Sequence, residues 1–284
     1  HIAQADVAIL TLGGKHGTCS IASMGEGVDA TNINLPPCQE KFLRQAAASG
    51  KPLVAVHLDG RPISSDAADQ CCAAILECWS PAEAGAQAIC DALLGDYNPG
   101  GKLPVSVAYN AGQVPVYYAH PWGSGWHQSE SIGFPDYVDC PHRPRYPFGF
   151  GLSYTSFAYS SLEISRKKVP AGESVEIVFT VENTGTVPGE EVAQLYVSDV
   201  YASMTRPVKE LAGFARIYLE PGEKKRLSFS LHTSQLAFLD QDMKWKIEHG
   251  EIRVEAAASS DDVRLSGSFR IDGDRWIEGK NREF

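Results

Sequence analysis

Hydrophobic periodicity changes once along this chain, and that change limits the folds open to it. Residues 1 to about 120 alternate short apolar runs with helix-like segments. Asp6–Leu12 reads as a strand stopped at Gly13-Gly14, and Cys38–Ala48 as a helix with Phe42, Leu43 and Ala46 on one face and Gly50 beyond its end. Pro52–Leu58 is a second buried strand, Ala74–Trp79 a third, and Ala82–Leu94 a helix closed by the turn cluster Gly95–Gly101. Strands separated by helices at such spacing predict βαβ units and a mainly parallel sheet. Functional loops in such sheets sit beyond the carboxyl ends of the strands, and the loop from Gly13 to Asn34 is long enough to be one.

From about residue 160 the period is two. Val175–Glu182, Val192–Val197, Lys225–Leu231 and Ile252–Ala256 read as half-buried antiparallel strands, with turns at Asn183-Thr184-Gly185, Glu220-Pro221-Gly222 and His249-Gly250. The expected fold class is therefore α/β then all-β: an α/β sandwich with a mainly parallel sheet, followed by a fibronectin type III-like β-sandwich. The boundaries predicted are 1–120 for the first domain, 121–158 for a linker rich in aromatic, Gly and Pro residues, and 159–284 for the β-sandwich.

Charge narrows the partners. The 284 residues carry 25 Lys plus Arg against 35 Asp plus Glu, a net charge of -10. That sign disfavours nucleic acid and anionic membrane surfaces, whereas a neutral ligand such as a sugar is compatible with it. No apolar run approaches the roughly 20 residues that cross a bilayer. The seven cysteines (Cys19, Cys38, Cys71, Cys72, Cys78, Cys90 and Cys140) are odd in number and make no C-x-x-C pair. They read as free, mostly buried thiols, which points to the cytoplasm. His1–Asp6 runs into the first strand with no initiator Met and no leader, so the chain is expected to start inside a longer protein, and a periplasmic or secreted location stays open.

Several strings recur in a recognisable order. They are Gly25-Glu26-Gly27-Val28-Asp29, then Asn34-Leu35-Pro36 with Gln39, Gly60-Arg61-Pro62, and Gly95-Asp96-Tyr97-Asn98-Pro99-Gly100-Gly101-Lys102-Leu103-Pro104. Pro115–Tyr118, Tyr146-Pro147-Phe148-Gly149-Phe150-Gly151-Leu152-Ser153-Tyr154-Thr155, Ser203–Leu211 and Leu219–Glu223 follow. Together they resemble glycoside hydrolase family 3, particularly its bacterial β-glucosidases. Members of that family usually have an N-terminal (β/α)8 barrel, an α/β sandwich and a fibronectin-like domain, and the resemblance implies that this chain holds the last two. The barrel normally supplies a nucleophilic Asp in a Ser-Asp-Trp or Ser-Asp-Tyr string. Ser65-Asp66-Ala67, Ser198-Asp199-Val200 and Ser260-Asp261-Asp262 do not match it.

Retaining glycosidases need two carboxyl groups about 5–5.5 Å apart, one attacking the anomeric carbon and one serving as acid and then base. The resemblance makes Glu26 the acid/base. Gly25 and Gly27 on either side free the backbone to push its carboxylate outward. From the residues alone Glu26 reads rather as a solvated loop residue, as most Glu are, and it is the resemblance that favours the catalytic role. Asp29 is its rival, with a sugar-binding or structural role the better fit. Where the family often has Arg after this Asp, Ala30 stands here, which removes a candidate ion pair of the loop.

Trp122 and Trp126 read either as sugar-stacking residues, since pyranose rings present apolar C–H faces, or as packing residues of the linker, and Tyr117 and Tyr118 read as packing residues. His120, His127, Cys140 and His142 fit no common metal spacing, and neither a metal nor a cofactor is expected. Gly13-Gly14 is followed by no dinucleotide or P-loop string, which leaves nucleotide binding a distant reading. The expectation is an exo-acting, retaining β-glycosidase acting on a β-linked glucoside or oligosaccharide, completed by the N-terminal (β/α)8 barrel and inactive as this chain alone. A non-catalytic sugar-binding or scaffold module is the alternative.

Overall fold

A computed structural model of the chain describes residues 1–14, 31–121 and 137–278. The described residues divide into two units. The first comprises His1–Tyr97, Val107–Val116 and Arg143–Tyr146, and the second Asn98–Ser106, Tyr117–His142 and Pro147–Phe284.

In the first unit, β1 (Ala8–Gly13), β2 (Leu53–Leu58) and β3 (Ala74–Glu77) form a sheet in the order β1-β2-β3. Both pairings are parallel, with Leu10 opposite Ala55 and Val56 opposite Leu76. Every other described sheet lies in the second unit and is antiparallel or mixed. Helix α1 (Pro37–Ala47) opens on Pro37 at its first position, where a missing N–H costs nothing, and buries Leu43 and Ala46. Leu43 packs with Leu12, Leu35, Ala55 and Ile63, and Ala46 with Ala8 and Leu53. Phe42, expected on the buried face, is 42% exposed. It lies about 100° around the helix from Leu43, at the margin of the stripe rather than in it.

The polar, Ala-rich stretch after β2 forms a short helix, α2 (Asp66–Cys71). Ser65 Oγ caps it by accepting from Ala68 N at 3.0 Å, and Glu40 of α1 accepts from Ala67 N at 3.1 Å. Helix α3 (Gly85–Leu94) begins three residues later than its apolar pattern suggests and ends at Gly95, whose φ of 84 is the left-handed cap that glycine favours.

The second unit contains a five-stranded sheet, ordered β5 (Lys168–Pro170), β13 (Asp262–Asp272), β12 (Gly250–Ser259), β7 (Gly189–Asp199) and β8 (Glu210–Leu219). A three-stranded antiparallel sheet has β4 (Phe157–Ile164), β6 (Ser174–Asn183) and β9 (Lys224–His232). A small sheet joins β10 (Phe238–Leu239), β11 (Trp245–Ile247) and β14 (Arg275–Ile277). Alternate residues of β6 (Val175, Ile177, Phe179, Val181) share one core with Leu195 and Val197 of β7 and Ile252, Val254 and Ala256 of β12. This is the period-two pattern turned into two packed faces. Each of the four strands expected from the sequence is present and extends past its expected ends.

Two of the sequence strings meet in this unit. Asn98 Oδ1 accepts from Ser153 Oγ at 3.0 Å and from Tyr154 N at 2.8 Å, while its Nδ2 donates to Pro188 O at 2.9 Å. Leu103 N donates to Phe150 O, and Gly149 N to Leu103 O, both at 2.8 Å. The strings 95–104 and 146–155 are therefore partners in one framework.

Candidate active site

Glu26, Asp29, Trp122 and Trp126 lie outside the described residues, as do Ala30, His127 and Cys19. What the structure describes is the framework at which those segments leave and return.

Strand β1 reaches its carboxyl end at Gly13, where φ is 137 and an added Cβ would fall 2.0 Å from Leu58 O. Only glycine fits so close to the neighbouring strand. Gln39 of α1 grips both polar groups of Gly13: its Oε1 accepts from Gly13 N at 2.9 Å and its Nε2 donates to Gly13 O at 2.7 Å. The departure point of the loop is thus held by a side chain 26 residues away.

The return is held as firmly. Arg61 Nη2 donates to Asn32 O at 3.1 Å, and Asn32 Oδ1 accepts from Asn34 N at 2.9 Å. Asn34 bridges to Ser64, with Ser64 N donating to Ile33 O and Leu35 N to Ser64 O, both at 3.2 Å. Leu35 then enters the core, almost fully buried. The Gly-Arg-Pro string at 60–62 acts here through Arg61.

A charged node braces the 64–69 segment. The Arg145 side chain is 4% exposed and pairs with both Asp66 and Asp69. Its Nε donates to Ser64 Oγ at 3.0 Å, and its guanidinium carbon stands 4.4 Å from the centroid of the Tyr109 ring. Burial works against its charge, but the two carboxylates outweigh that and raise its pKa. Burial also raises the Tyr146 hydroxyl, which donates to Asp69. Gln113 ties the same region together, accepting from Tyr109 N at 2.8 Å and donating to Arg143 O at 2.9 Å. Beside the β2 end, His57 is buried with its Nδ1 3.4 Å from Glu77 Oε2, and buried Asp59 accepts from Arg61 N at 3.3 Å. None of Arg145, Asp66, Asp69 or His57 was singled out for this role by sequence reasoning. The one available signal was Arg145 standing next to the Tyr-Pro-Phe-Gly string.

In the second unit the approach to Trp122 is anchored. Tyr118 stacks on Phe148 at 4.4 Å and meets Tyr196 edge-on at 5.7 Å, and its hydroxyl accepts from Leu211 N at 3.3 Å. Val208 N donates to His120 O at 2.9 Å, and Pro121 bridges to Pro207. Tyr118 is thus the packing residue expected. Tyr117 is not, being 66% exposed. The cysteines also depart from expectation. Cys38 and Cys90 are exposed and Cys71, Cys72, Cys78 and Cys140 half-buried, because α1 and α3 turn Cys38 and Cys90 outward. Burial pushes the Cys78 thiol up to about 11, helped by Glu77, so it is no reactive thiolate. Among the described residues no three His, Cys, Asp or Glu side chains cluster as a metal site would need, and no helix is long and apolar enough to cross a membrane.

These elements define an α/β unit in which Gly13 at the carboxyl end of the first strand and Asn32 are each held by a side chain, together with a β-sandwich whose residues 191–260 match the fibronectin type III-like domain. Residues 1–154 match the glycosyl hydrolase family 3 C-terminal domain, and the chain belongs to that family. It is 41% identical to a periplasmic beta-glucosidase of Salmonella typhimurium over 94% of this chain and 34% of the relative. It is 38% identical to a beta-xylosidase of Formosa agariphila over 92% of this chain and 35% of the relative. The crystal structure of a beta-glucosidase from Listeria innocua in complex with glucose superposes with a TM-score of 0.85 at 33% identity, covering 95% of this chain and 37% of that one. The chain thus spans about a third of the length of the curated relatives it matches. Neither unit, among the described residues, is a (β/α)8 barrel.

Proposed function

We propose that the protein whose C-terminal part this chain forms is a retaining, exo-acting β-glycosidase, a β-glucosidase in the first instance, and that Glu26 is its acid/base. In this reading an Asp on an N-terminal barrel attacks the anomeric carbon. Glu26 protonates the leaving oxygen and then activates the water that releases the sugar. The observation that carries the reading is the double clamp. Gln39 at Gly13 and Arg61 at Asn32 hold both ends of the segment containing Glu26, at the strand end where open α/β sheets keep their functional loops. A catalytic carboxyl group needs such support, because small displacements of an acid/base are costly in rate.

The relatives support the substrate class. The Salmonella protein is named a beta-glucosidase, and the Listeria enzyme has been crystallised with glucose and with laminaribiose. Names of this kind count against the scaffold-module alternative. The Formosa relative favours a second substrate, a β-xyloside. Asp29, Trp122 and Trp126 are proposed sugar contacts. Exposed Ile9 of β1, with exposed Val7 just before the strand, supports a further covering layer such as a barrel, since parallel sheets are normally covered on both faces. For the compartment, the free thiols of Cys38, Cys71, Cys72, Cys78 and Cys90 favour the cytoplasm and the name of the Salmonella relative favours the periplasm; fractionation of the producing cells decides between them.

The test is Glu26→Ala in the full-length protein, assayed on an activated aryl β-glucoside with and without azide. A good leaving group needs no acid, so the glycosyl-enzyme still forms and its hydrolysis becomes slow. Azide, which needs no base, should restore turnover and yield β-glucosyl azide. Unchanged activity of the variant, or loss with no azide product, overturns the assignment. Parallel rates on aryl β-xyloside separate the two substrates.

A further inference from the structure

The second unit holds a cavity of about 380 Å3 that the proposed hydrolysis does not use. Phe150 and Phe157 supply apolar walls, and Lys102, Glu191, Asp262 and Arg264 supply charged ones. The charges are matched in pairs. Lys102 Nζ lies 3.4 Å from Glu191 Oε2, and Arg264 embraces Asp262 through Nε at 2.6 Å and Nη2 at 2.7 Å. Two cations and two anions leave no net charge in the cavity, so it offers little to a free anion or cation.

Hydrogen-bonding capacity nevertheless remains. An ammonium has three N–H groups, and Lys102 directs one to Gly151 O at 3.2 Å while it pairs in charge with Glu191 at 3.4 Å. A guanidinium has five, and Arg264 spends three, the third on Phe157 O at 3.5 Å. Glu191 is buried; its Oε1 accepts from Tyr159 Oη at 2.9 Å and its Oε2 faces the Lys102 ammonium at 3.4 Å, which leaves lone pairs over. Burial and the neighbouring carboxylate raise the pKa of the Tyr159 hydroxyl, so it stays a donor to Glu191. Matched charges, spare donors beside spare acceptors, and two aromatic walls suit a ligand whose groups both donate and accept while its body is apolar.

We propose that this cavity, lined by residues of the second unit, binds a single neutral sugar ring. Its volume sits at the small end of ligand pockets, enough for one pyranose and too little for an oligosaccharide or a folded peptide segment. Hydroxyls would meet the Lys102, Glu191 and Arg264 groups, and the ring's C–H face would lie along Phe150 or Phe157.

The experiment is a glucose titration of this chain followed by amide NMR. Saturable shifts at Gly151, Ser153, Phe157 and Ala258 are expected, unaffected by Glu26→Gln. Arg264→Ala, at an exposed position that tolerates truncation, should weaken them about tenfold, while Arg264→Gln, which keeps donors without the charge, should restore part of the affinity. Lys102→Met is unsuitable, since it would strand buried Glu191. Absence of saturable shifts at these amides, equal affinity in Arg264→Ala, or the same shifts on adding inorganic phosphate would each overturn the proposal. None of these outcomes bears on the azide assay, so the two readings fail separately.

Discussion

The two units bury their apolar residues very differently. In the β-sandwich, Val175, Ile177, Phe179 and Val181 of one strand are all fully buried, and Leu195, Ile252 and Val254 complete a core closed from both sheets. In the α/β unit, the face of the sheet that carries Leu12, Leu53 and Ala55 is covered by α1 and α2, while Ile9 on the opposite face is 52% exposed. Helix α3, apolar at Ala86, Ala88, Ile89 and Leu94, buries only Ala92. A β-sandwich is finished once its two faces meet. A parallel sheet needs a layer on each face, and here the second face is covered at Val56 of the central strand but left open at Ile9 of the β1 edge. The comparison teaches that the β-sandwich closes its own core, whereas the α/β unit leaves apolar residues open at the edge of its sheet and on α3.

The strongest way to break that contrast is truncation in the two cores. Phe179→Ala, which removes a ring stacked between Tyr159 and Phe229, should cost about 3–5 kcal/mol in urea denaturation. Ile9→Ala should cost less than about 1 kcal/mol in this chain, and more in the full-length protein where the face is covered. Equal costs in both settings would remove the argument for a missing layer.

Arg145→Ala comes next, at about 2 kcal/mol. The side chain is buried, but Asp66 is more than half exposed and loses little when unpaired. Hydrogen exchange should accelerate at α2 and at Leu35 and stay unchanged along β6 and β12. Acceleration in both units would mean that they unfold as one.

Titration sharpens the picture within the β-sandwich. Burial raises Asp199 to about 6, against the attraction of Arg206. The folded state therefore holds that proton more tightly than the unfolded one, and stability from this group falls as pH rises from about 4 to about 6. Asp274 has the opposite sign. Burial opposes its charge, but hydrogen bonds from Lys246 and His249 hold it down to about 2, so its stabilisation is lost as pH falls from about 4 to about 2. Asp199→Asn should raise the neutral-pH stability by about 1 kcal/mol and flatten the profile between pH 4 and 6. A profile unchanged by the substitution would refute the assignment. A similarly small stability effect is expected from Gln39→Ala, about 1 kcal/mol or less. Its larger consequence should be a lower kcat in the full-length enzyme, through the unclamped Gly13.

Much of the fold was legible. Strands β1, β2, β6, β7, β9 and β12 and helix α1 follow from apolar patterns that a local window captures. Strand β8 was not legible, because exposed Phe214 and Tyr218 blur the alternation of Ala215, Ile217 and Leu219. Strand β13 is masked in the same way by Gly267, which sits under Leu162 and Ile164 where a side chain would crowd them. Within the α/β unit, the catalytic proposal for Glu26 comes from the family resemblance. The grips on Gly13 and Asn32 come from the structure.

The sequence by itself determined the kinds of element, their order and the family, because period, turn residues and motif strings are all local properties. The tertiary structure decided which apolar residues are covered: Leu43 but not Phe42, Tyr118 but not Tyr117. It also brought Arg145 to Ser64 across 81 residues, and Gln39 to Gly13 across 26. Such contacts depend on the register of strands and helices against one another, set by the summed packing of many side chains, and no stretch of chain encodes that alone.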